Sequence, residues 1–377
     1  MSTLKNCSVL LLAIAAFFIF TAPDVLNGLD SNREYGSWEL QAVITGFCMS
    51  PVPGQLMDAK GLNTTGGDFE FEKDGDIEND DYVQGSIYAI LYALYKNTGI
   101  VTSNLGVPYQ FTFNTWGIAP SPYPVEDPQR HGKAAYAGLV TQPPAMEYAE
   151  NLKNEGKRLK IVEIGCGTGA GANLITREVW PSSQYLALDM QAAAINTCNE
   201  IHATEDNPGL ECRLVPNGVG RDGNKVPMPN NSVDFVVISE THIADIEIGD
   251  LEKSIFAEIR RILKPGGLFL WGNAIPTRVW EEAMDYLPTA GFELVNNFNH
   301  TKGAVVARDE DHDRVVAYID HIIGQYPVMK VPYFGDRCAK VTERLIANFY
   351  RHPGTALYLK MVTGYDSYMH QAWRKSE

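Results

Sequence analysis

From Arg158 onward, short runs of β-branched residues alternate with stretches of helical character, and this alternation limits the possible folds more than any other feature. It is typical of a parallel sheet whose strands are joined by helical crossovers. The segments with strand character are Lys160–Ile164, Gln184–Leu188, Glu211–Val215, Val233–Ser239, Gly267–Trp271, Gly291–His300 and Asp366–Lys375. We therefore predict an α/β fold with a doubly wound, mostly parallel, seven-stranded sheet.

The predicted helices fill the gaps between these strands. Crossover helices are expected at Ala170–Val179, Gln191–Ile201 and Leu251–Leu263, and the KPGG sequence of Lys264–Gly267 predicts a stop and a turn after the last one. A helical insertion at 308–352, before the last strand, would cover the edge at which open α/β sheets bind ligands. We place this domain at 158–377, after a helical and aromatic N-terminal extension at 35–157.

Charge and cysteine spacing argue against several classes of protein. The formal net charge of −15 over 377 residues lacks the basic footprint of a nucleic-acid-binding protein, so we expect no nucleic-acid partner. The acidic stretch Asp68–Asp81 is not a calcium loop, because counting from Asp74 puts Asn79 and Gly85 where glycine and glutamate are required. None of the six cysteines forms a C-x-x-C pair, so we expect no metal site and free thiols.

The N-terminal segment Met1–Pro23 has the pattern of a targeting sequence. Lys5 precedes an apolar run, Val9–Phe20, that suits a signal-peptide core and is short for a span, which needs about 20 residues. No small-x-small cleavage site follows Phe20, so an uncleaved membrane anchor and a buried N-terminal helix stay open. We predict membrane association or endomembrane or organelle targeting through this segment, with a cytoplasmic location as the alternative.

The sequence IVEIGCGTGAGANLI, Ile161–Ile175, joins the first predicted strand to a helix through closely spaced glycines. Glycines without Cβ atoms let a ligand approach the backbone, and the start of a helix offers free N–H groups. The spacing Gly165-x-Gly167-x-x-Ala170 also fits the dinucleotide fingerprint, which leaves an NAD-dependent oxidoreductase open. Three further features are Glu163, Gly169 and Asp189, the last at the end of the second strand, where it could accept hydrogen bonds from ribose hydroxyls.

Together with the segments Asp222–Ser239 and Arg260–Asn273, this set resembles the class I S-adenosylmethionine-dependent methyltransferases, which have a Rossmann-like fold. The resemblance covers about Arg158–His300 and, more loosely, Asp366–Lys375. In pattern the chain is similar to small-molecule methyltransferases of the sterol, tocopherol and ubiquinone type. It departs from the family at Glu163, where aspartate is usual, and at Val233, where phenylalanine is usual.

The resemblance implies S-adenosylmethionine as the cofactor and assigns roles to residues. The methionine and ribose portions of the cofactor would face Glu163 and the loop residues Gly165, Cys166, Gly167 and Gly169. Asp189 would take the ribose hydroxyls and Met190 would lie beside the adenine. Asp222, which Gly223 follows, would accept a hydrogen bond from the adenine amino group.

Two other segments are implied to complete the site, one where the acceptor meets the methyl donor and one that covers the donor. Glu240 and His242, in the SETHIAD sequence after the fourth strand, lie where acceptor and methyl donor meet in the family, and histidine is a suitable general base near neutral pH. The aromatic stretch Val107–Pro124 is similar to a segment that closes over the donor in small-molecule methyltransferases. Its counterparts here are Tyr109, Trp116 and Gly117, whose aromatic faces would suit a sulfonium cation and exclude water.

The leading interpretation is an enzyme that transfers a methyl group from S-adenosylmethionine to a small-molecule acceptor by in-line displacement. Such a reaction needs alignment and exclusion of water more than a catalytic triad, and the sequence contains no G-x-S-x-G, H-E-x-x-H or P-loop motif. Two alternatives are an NAD-dependent oxidoreductase and a non-catalytic protein that binds S-adenosylmethionine as a scaffold.

Overall fold

The computed structural model describes residues 113–241, 243, 247–325, 339–340, 343, 347 and 350–376. Within them, seven strands form one sheet in the order β3-β2-β1-β4-β5-β7-β6, and only β7 runs antiparallel to its neighbours. The strands are β1 (Lys160–Ile164), β2 (Gln184–Asp189), β3 (Leu210–Leu214), β4 (Val233–Ser239), β5 (Leu263–Pro276), β6 (Phe292–Asn299) and β7 (Asp366–Lys375). The predicted seven-stranded, mostly parallel sheet is confirmed.

Helices lie before the sheet, between its strands and in the insertion. They are α1 (Arg130–Val140), α2 (Pro143–Asn154), α3 (Ala170–Leu174), α4 (Ala192–Ile201), α5 (Asp250–Ile262), α6 (Thr277–Thr289), α7 (Thr301–Glu310), α8 (His312–Gln325) and α9 (Ala356–Val362). A π-helical turn at Ile175–Val179 continues α3, and a 3-10 turn at Arg221–Gly223 follows β3.

The sheet changes its direction of winding at β1, which has β2 on one side and β4 on the other. Ile161 pairs with Phe235 and Val162 with Val236, so the carboxyl ends of β1 and β4 lie side by side. In open α/β sheets the crevice at such a switch point is the usual ligand site. The glycine loop and the segment that begins at Glu240 both start at this crevice.

Helix α5 shows how sequence patterning builds the core. Its buried residues, Ile255, Phe256, Ile259 and Ile262, recur at helical spacing on the face that packs against the sheet. The other side of this contact includes β4, where every residue is buried. The two faces of the sheet carry separate hydrophobic clusters, so α-helices cover both sides, as in a doubly wound fold.

The predicted turn at Lys264–Gly267 is wrong, because these residues lie inside β5. They form a bulge: pairing with β4 moves from Val233 opposite Leu263 to Phe235 opposite Leu268, and Gly266 has a φ of 75°. The strand then runs to Pro276, well past the predicted end at Trp271, because β7 pairs with it along that whole length.

The helical insertion also begins earlier than predicted, at Thr301 instead of residue 308. Ala304, Ala307 and Arg308 are buried on one face of α7, which therefore packs on the domain from its first turn. The second predicted helix of the insertion, at 337–352, falls mostly outside the described residues.

The expectation of free thiols is wrong for one pair of cysteines. Cys198 on α4 and Cys212 on β3 form a disulfide, with Cα atoms 6.2 Å apart. The two are separated by 14 residues, a spacing that does not identify a pair, and only the packing of α4 on β3 brings them together. Cys166 is free and buried.

No helix in the described part of the chain is long and apolar enough to cross a membrane. The segment Met1–Pro23 lies outside that part.

Candidate functional site

The glycine loop after β1 has a left-handed backbone at three positions. The φ angles are 81° at Gly165, 55° at Gly167 and 85° at Gly169. Residues that carry a β-carbon rarely adopt such positive φ angles. The end of β2 fixes the loop: the N–H groups of Gly165 and Cys166 both donate to the carbonyl of Leu188, at 2.8 and 2.9 Å. The loop is thus attached to the next strand before any ligand is considered.

The packing of the protein supplies a second reason for these glycines. A Cβ atom on Gly165 would collide with the Thr241 side chain, and one on Gly169 would collide with the sulfur of Cys198. The Cys166 side chain points into the core, where burial raises the pKa of its thiol well above the ordinary value. Only the backbone of Cys166, and not its thiol, is therefore available to the crevice.

Asp189, at the end of β2, anchors the loop with both carboxylate oxygens. Oδ2 accepts the N–H of Gly167 and Oδ1 accepts the N–H of Gln191, each at 2.8 Å. Burial raises the pKa of Asp189, while these backbone donors act in the opposite direction. The Met190 amide is a further backbone donor near this carboxylate, and because a carboxylate offers about four lone-pair sites, acceptor capacity is left for a ribose hydroxyl.

Glu163 is fully buried in β1 and one of its oxygens lacks a partner. Oε2 accepts a hydrogen bond from the Tyr185 hydroxyl at 3.0 Å, and the Tyr136 hydroxyl of α1 lies near the carboxylate. Oε1 has no hydrogen-bond partner among the described residues. Burial raises the pKa of Glu163 to about 7, with the nearby charge of Asp189 adding to the effect and both tyrosines opposing it.

Glu240, the residue after β4, combines a strained backbone with a buried carboxylate. Its φ of 48° places a non-glycine residue in the left-handed region, a feature that clusters at functional sites. Oε1 accepts the backbone N–H of Trp116 at 2.6 Å, and Oε2 lies 3.0 Å from a guanidinium nitrogen of Arg351. Burial raises the pKa of Glu240; Arg351, the Trp116 amide and the Tyr368 hydroxyl act in the opposite direction.

The predicted aromatic segment, through Trp116, thus contacts the predicted acid Glu240. The Trp116 side chain is buried, and the Arg351 guanidinium lies 5.7 Å from the centre of its ring, a cation–π contact. Gly117 has a φ of 73°, and a Cβ there would lie 2.7 Å from the Cβ of His131 on α1. Residue 117 therefore has to be glycine for the segment to lie this close to α1.

Thr241 brings Glu240 beside the glycine loop. Its hydroxyl donates to the carbonyl of Ile164 at 3.1 Å and lies over Gly165. The carboxyl ends of β1 and β4 are therefore joined directly, and the loop, Glu240 and Trp116 lie together at the switch point of the sheet.

The remaining predicted residues are only partly described. Met190 is half-buried, and its sulfur lies close to Gly218 in the segment after β3. Asp222 and Gly223 form the 3-10 turn that follows this segment. His242 and Tyr109 lie outside the described residues.

Sequence reasoning did not identify three side chains that line this site: Tyr136 on α1, Arg351 in the insertion and Tyr368 on β7. Tyr136 contacts Glu163, and the other two contact Glu240. Arg351 also has a left-handed backbone, with a φ of 55°. The one available signal was the alternation of Tyr368 and His370 in the predicted last strand, which puts two polar rings on one face of a sheet.

Comparison with known proteins agrees with this geometry. Residues 161–267 match the family model described as a methyltransferase domain, and the match runs from β1 through the bulge of β5. Residues 161–267 are a methyltransferase domain. The comparisons give no support to the oxidoreductase or the scaffold alternative.

Two relatives match this chain at 32% identity over 139 residues. One is the fatty-acid O-methyltransferase of Mycolicibacterium smegmatis, with 36% of this chain and 44% of that protein covered. The other is the phthiotriol/phenolphthiotriol dimycocerosates methyltransferase of Mycobacterium leprae, with 37% of this chain and 46% of that protein covered. The chain therefore matches less than half the length of these curated relatives.

Solved structures show that the fold extends beyond this match. The cyclopropane synthase MmaA2 from Mycobacterium tuberculosis is similar over 74% of this chain and 96% of its own, with a TM-score of 0.50 and 14% identity. The cyclase SpnF is similar over 76% of this chain and 94% of its own, with a TM-score of 0.50 and 15% identity. At these identities the methyltransferase domain shares the fold with both proteins.

Proposed function

We propose that this protein binds S-adenosylmethionine at the carboxyl ends of β1 and β4 and methylates a small, largely apolar acceptor there. The observation that carries the proposal is Glu240. Its carboxylate is buried, its backbone is strained, and it joins the Trp116 segment to the sheet directly beside the glycine loop. A polar residue held in this way at the family's cofactor crevice supports a catalytic site.

The described residues fit the cofactor on two independent grounds. Oε1 of Glu163 is a buried oxygen without a partner, and an α-ammonium group would satisfy it. Asp189 retains acceptor capacity for ribose hydroxyls after anchoring the loop. The remaining proposed cofactor residues are Gly165, Cys166, Gly167, Gly169, Met190, Asp222, Gly223, Trp116, Gly117 and, outside the described residues, Tyr109.

When bound, the cofactor supplies an electrophilic methyl group on a positively charged sulfur that leaves as a neutral thioether. The protein's task is then to align the acceptor and exclude water. Glu240 would also accept a proton from an oxygen, nitrogen or sulfur nucleophile. Its Oε2 atom is available for this, because among the described residues it has no aligned hydrogen-bond donor. Arg351 pairs with the same oxygen electrostatically. Burial makes this carboxylate a stronger base than an exposed one. His242 is proposed as the second candidate for this role.

A lipid-like acceptor is the substrate class that we favour. By their names, one relative is a fatty-acid O-methyltransferase and the other is a methyltransferase of phthiotriol and phenolphthiotriol dimycocerosates. Beside Glu240, the cover formed by the insertion is apolar and aromatic. Its cluster consists of Trp116, Ala304, Met361 and Tyr368, with Ile118, Ala274, Val305 and Tyr358 against it.

The test is a turnover assay with radiolabelled S-adenosylmethionine and a panel of fatty acids and long-chain alcohols. Label should pass to a lipid acceptor, and Glu240→Gln should lower kcat by about 10²- to 10⁴-fold when the acceptor must lose a proton, with donor affinity nearly unchanged. Glu211→Gln, an exposed change on β3, is the matched control and should behave as wild type. A protein that binds the donor but labels no member of the panel would contradict the acceptor class.

The N-terminal assignments remain proposals. We propose that residues 1–23 target the protein to a membrane or organelle, that 35–157 form a cap region and that 158–377 form the catalytic domain. A fusion of residues 1–30 to a fluorescent reporter tests the first, and diffuse cytosolic fluorescence would contradict it.

A further inference from the structure

Asn273 is a buried amide in an otherwise apolar stretch of β5. Its neighbours in the sequence LFLWGNAI are apolar residues and a glycine, and its side chain is only 5% exposed. Burying an amide is unfavourable unless its polar atoms are hydrogen-bonded, so an apolar side chain would fill this position with less loss of free energy. The hydrogen bonds of Asn273 therefore indicate why the strand carries an amide here.

The Asn273 amide binds the turn that follows β4. Nδ2 donates to the carbonyl of Thr241 at 2.9 Å and to that of Ile243 at 3.4 Å. Oδ1 accepts the N–H of Ala274 at 2.9 Å, which fixes the orientation of the amide. The turn is tight, because the N–H of Ile243 also donates to the Thr241 carbonyl, at 2.7 Å. One side chain of β5 thus holds both ends of the turn that begins directly after Glu240.

The backbone on both sides of Glu240 is fixed by the neighbouring strands. Its own N–H donates to the carbonyl of Gly272 at 2.8 Å. The next residue, Thr241, is bound at its carbonyl by Asn273 and donates its hydroxyl to Ile164 of β1. Glu240 has a φ of 48°, and a residue other than glycine keeps such a backbone only where its surroundings enforce it. The contacts from β1 and β5 supply that enforcement.

We propose that Asn273 is a positioning residue for methyl transfer, an inference that rests on the proposed function. Its hydrogen bond to Thr241 fixes the direction in which the Glu240 side chain leaves the end of β4. With that direction fixed, Oε1 of Glu240 meets the Trp116 N–H at 2.6 Å, and Oε2 stays where the acceptor would give up its proton. Loss of the amide should leave the glycine loop intact, because the end of β2 holds that loop.

An aspartate at this position can be switched by pH. Asn273→Asp keeps the shape of the side chain, and only its protonated form can donate to the Thr241 carbonyl. Burial beside carbonyl oxygens raises the pKa of an aspartate, because the charged form loses its hydration. The variant should therefore resemble wild type at low pH and lose the hydrogen bond as the pH rises. Asn273→Leu, of similar size, should lack it at every pH.

Asn207 provides a matched control. Its side chain is 4% exposed, and its Nδ2 donates to the Thr176 hydroxyl at 2.9 Å. It precedes the amino end of β3, whereas Glu240 follows the carboxyl end of β4, so the two lie at opposite edges of the sheet. Asn207→Asp and Asn207→Leu remove a buried amide donor without touching the turn after β4.

The first experiment needs no acceptor. Hydrogen exchange of the Trp116 backbone amide, which donates to Glu240, is followed in the full chain labelled with ¹⁵N-tryptophan and assigned with Trp116→Phe. Relative to wild type at the same pH, exchange should be roughly tenfold faster in Asn273→Leu. In Asn273→Asp it should be faster at about pH 8 and unchanged at about pH 6. Wild-type exchange in both variants, or the same acceleration in the Asn207 variants, would overturn the proposal.

The second experiment uses a fatty acid or long-chain alcohol that accepts label in the turnover assay. Relative to wild type at each pH, Asn273→Leu should lower kcat by roughly tenfold or more, and Asn273→Asp should do so only at the higher pH, with KM for the donor unchanged. Asn207→Asp should match wild type at both. A kcat loss in Asn273→Asp that does not depend on pH, or a loss confined to donor binding, would overturn the proposal. The expected exchange pattern with no methyl transfer by wild type would instead contradict the proposed function, while the hold of Asn273 on Glu240 would stand.

Discussion

At the scale of single residues, Glu163 is an acid placed where burial opposes its ionisation. It lies in the central strand β1 with a partnerless oxygen and a pKa near 7, against an ordinary value of 4.5. Because the pKa of Glu163 is higher in the folded protein than in the unfolded chain, its protonated form favours folding. This contribution to the free energy of unfolding is fully present below pH 4.5 and is lost as the pH rises through 7.

The Glu163→Gln variant keeps the shape of the side chain and its contacts with the tyrosines but cannot ionise. Without ligand, the variant should become more stable relative to wild type between pH 4.5 and 7, by about 3 kcal/mol at the plateau, because wild type alone has to bury a charge. Urea unfolding at several pH values measures this difference. A stability difference that does not change with pH would mean that Glu163 ionises freely in the folded protein.

At the scale of elements, the Glu240–Arg351 ion pair joins the helical insertion to the end of β4. Both residues have left-handed backbones, with φ values of 48° and 55°, and both side chains are largely buried. Backbone strain of this kind costs about 1–3 kcal/mol per residue and persists only where surrounding contacts enforce it. The pair therefore belongs to the contacts that hold the insertion against the end of β4.

Arg351→Met should destabilise the protein by about 3 kcal/mol, because it leaves the Glu240 carboxylate buried without its cation. The double variant Glu240→Gln/Arg351→Met should recover part of this loss, since the uncompensated charge is gone. Arg278→Met, which breaks an exposed pair with Glu282, is the control and should cost less than about 1 kcal/mol. Chemical unfolding and limited proteolysis of the insertion measure both effects; equal losses in Arg351→Met and the control would remove the ion pair from this role.

At the scale of the whole molecule, cofactor binding should couple to global stability, because the crevice draws on β1, β2, β4 and the insertion together. S-adenosylmethionine at 100 times its Kd should add about 2.7 kcal/mol to the free energy of unfolding, and NAD should add nothing. Thermal unfolding with each ligand measures this.

In Asp189→Ala the donor-induced increment should shrink, even after correction for the lower stability of the free variant, which loses the anchor of Gly167. An increment as large as that of wild type would show that Asp189 anchors the loop without contacting the donor.

The sequence by itself determined the sheet, the glycine loop and the two segments that meet at it. These features are local: β-branched runs, helical spacing, and glycines where only a left-handed backbone can continue. Six of the seven strands were predicted to within one residue at both ends, among them β1 and β4. Strand β5 was misjudged because KPGG signals a turn locally, and only pairing with β4 and β7 converts it to a bulge within a longer strand.

The tertiary structure alone decided which distant side chains share the crevice. Arg351 and Tyr368 lie more than 100 residues from Glu240 in the chain, and the disulfide of Cys198 and Cys212 has no motif spacing. Burial and charge pairing depend on through-space distance, which a sequence pattern records only within one helix or strand. For this reason the proposed cofactor side, built from one strand–loop–helix, could be predicted from the sequence, whereas the cover and the polar contacts of Glu240 could not.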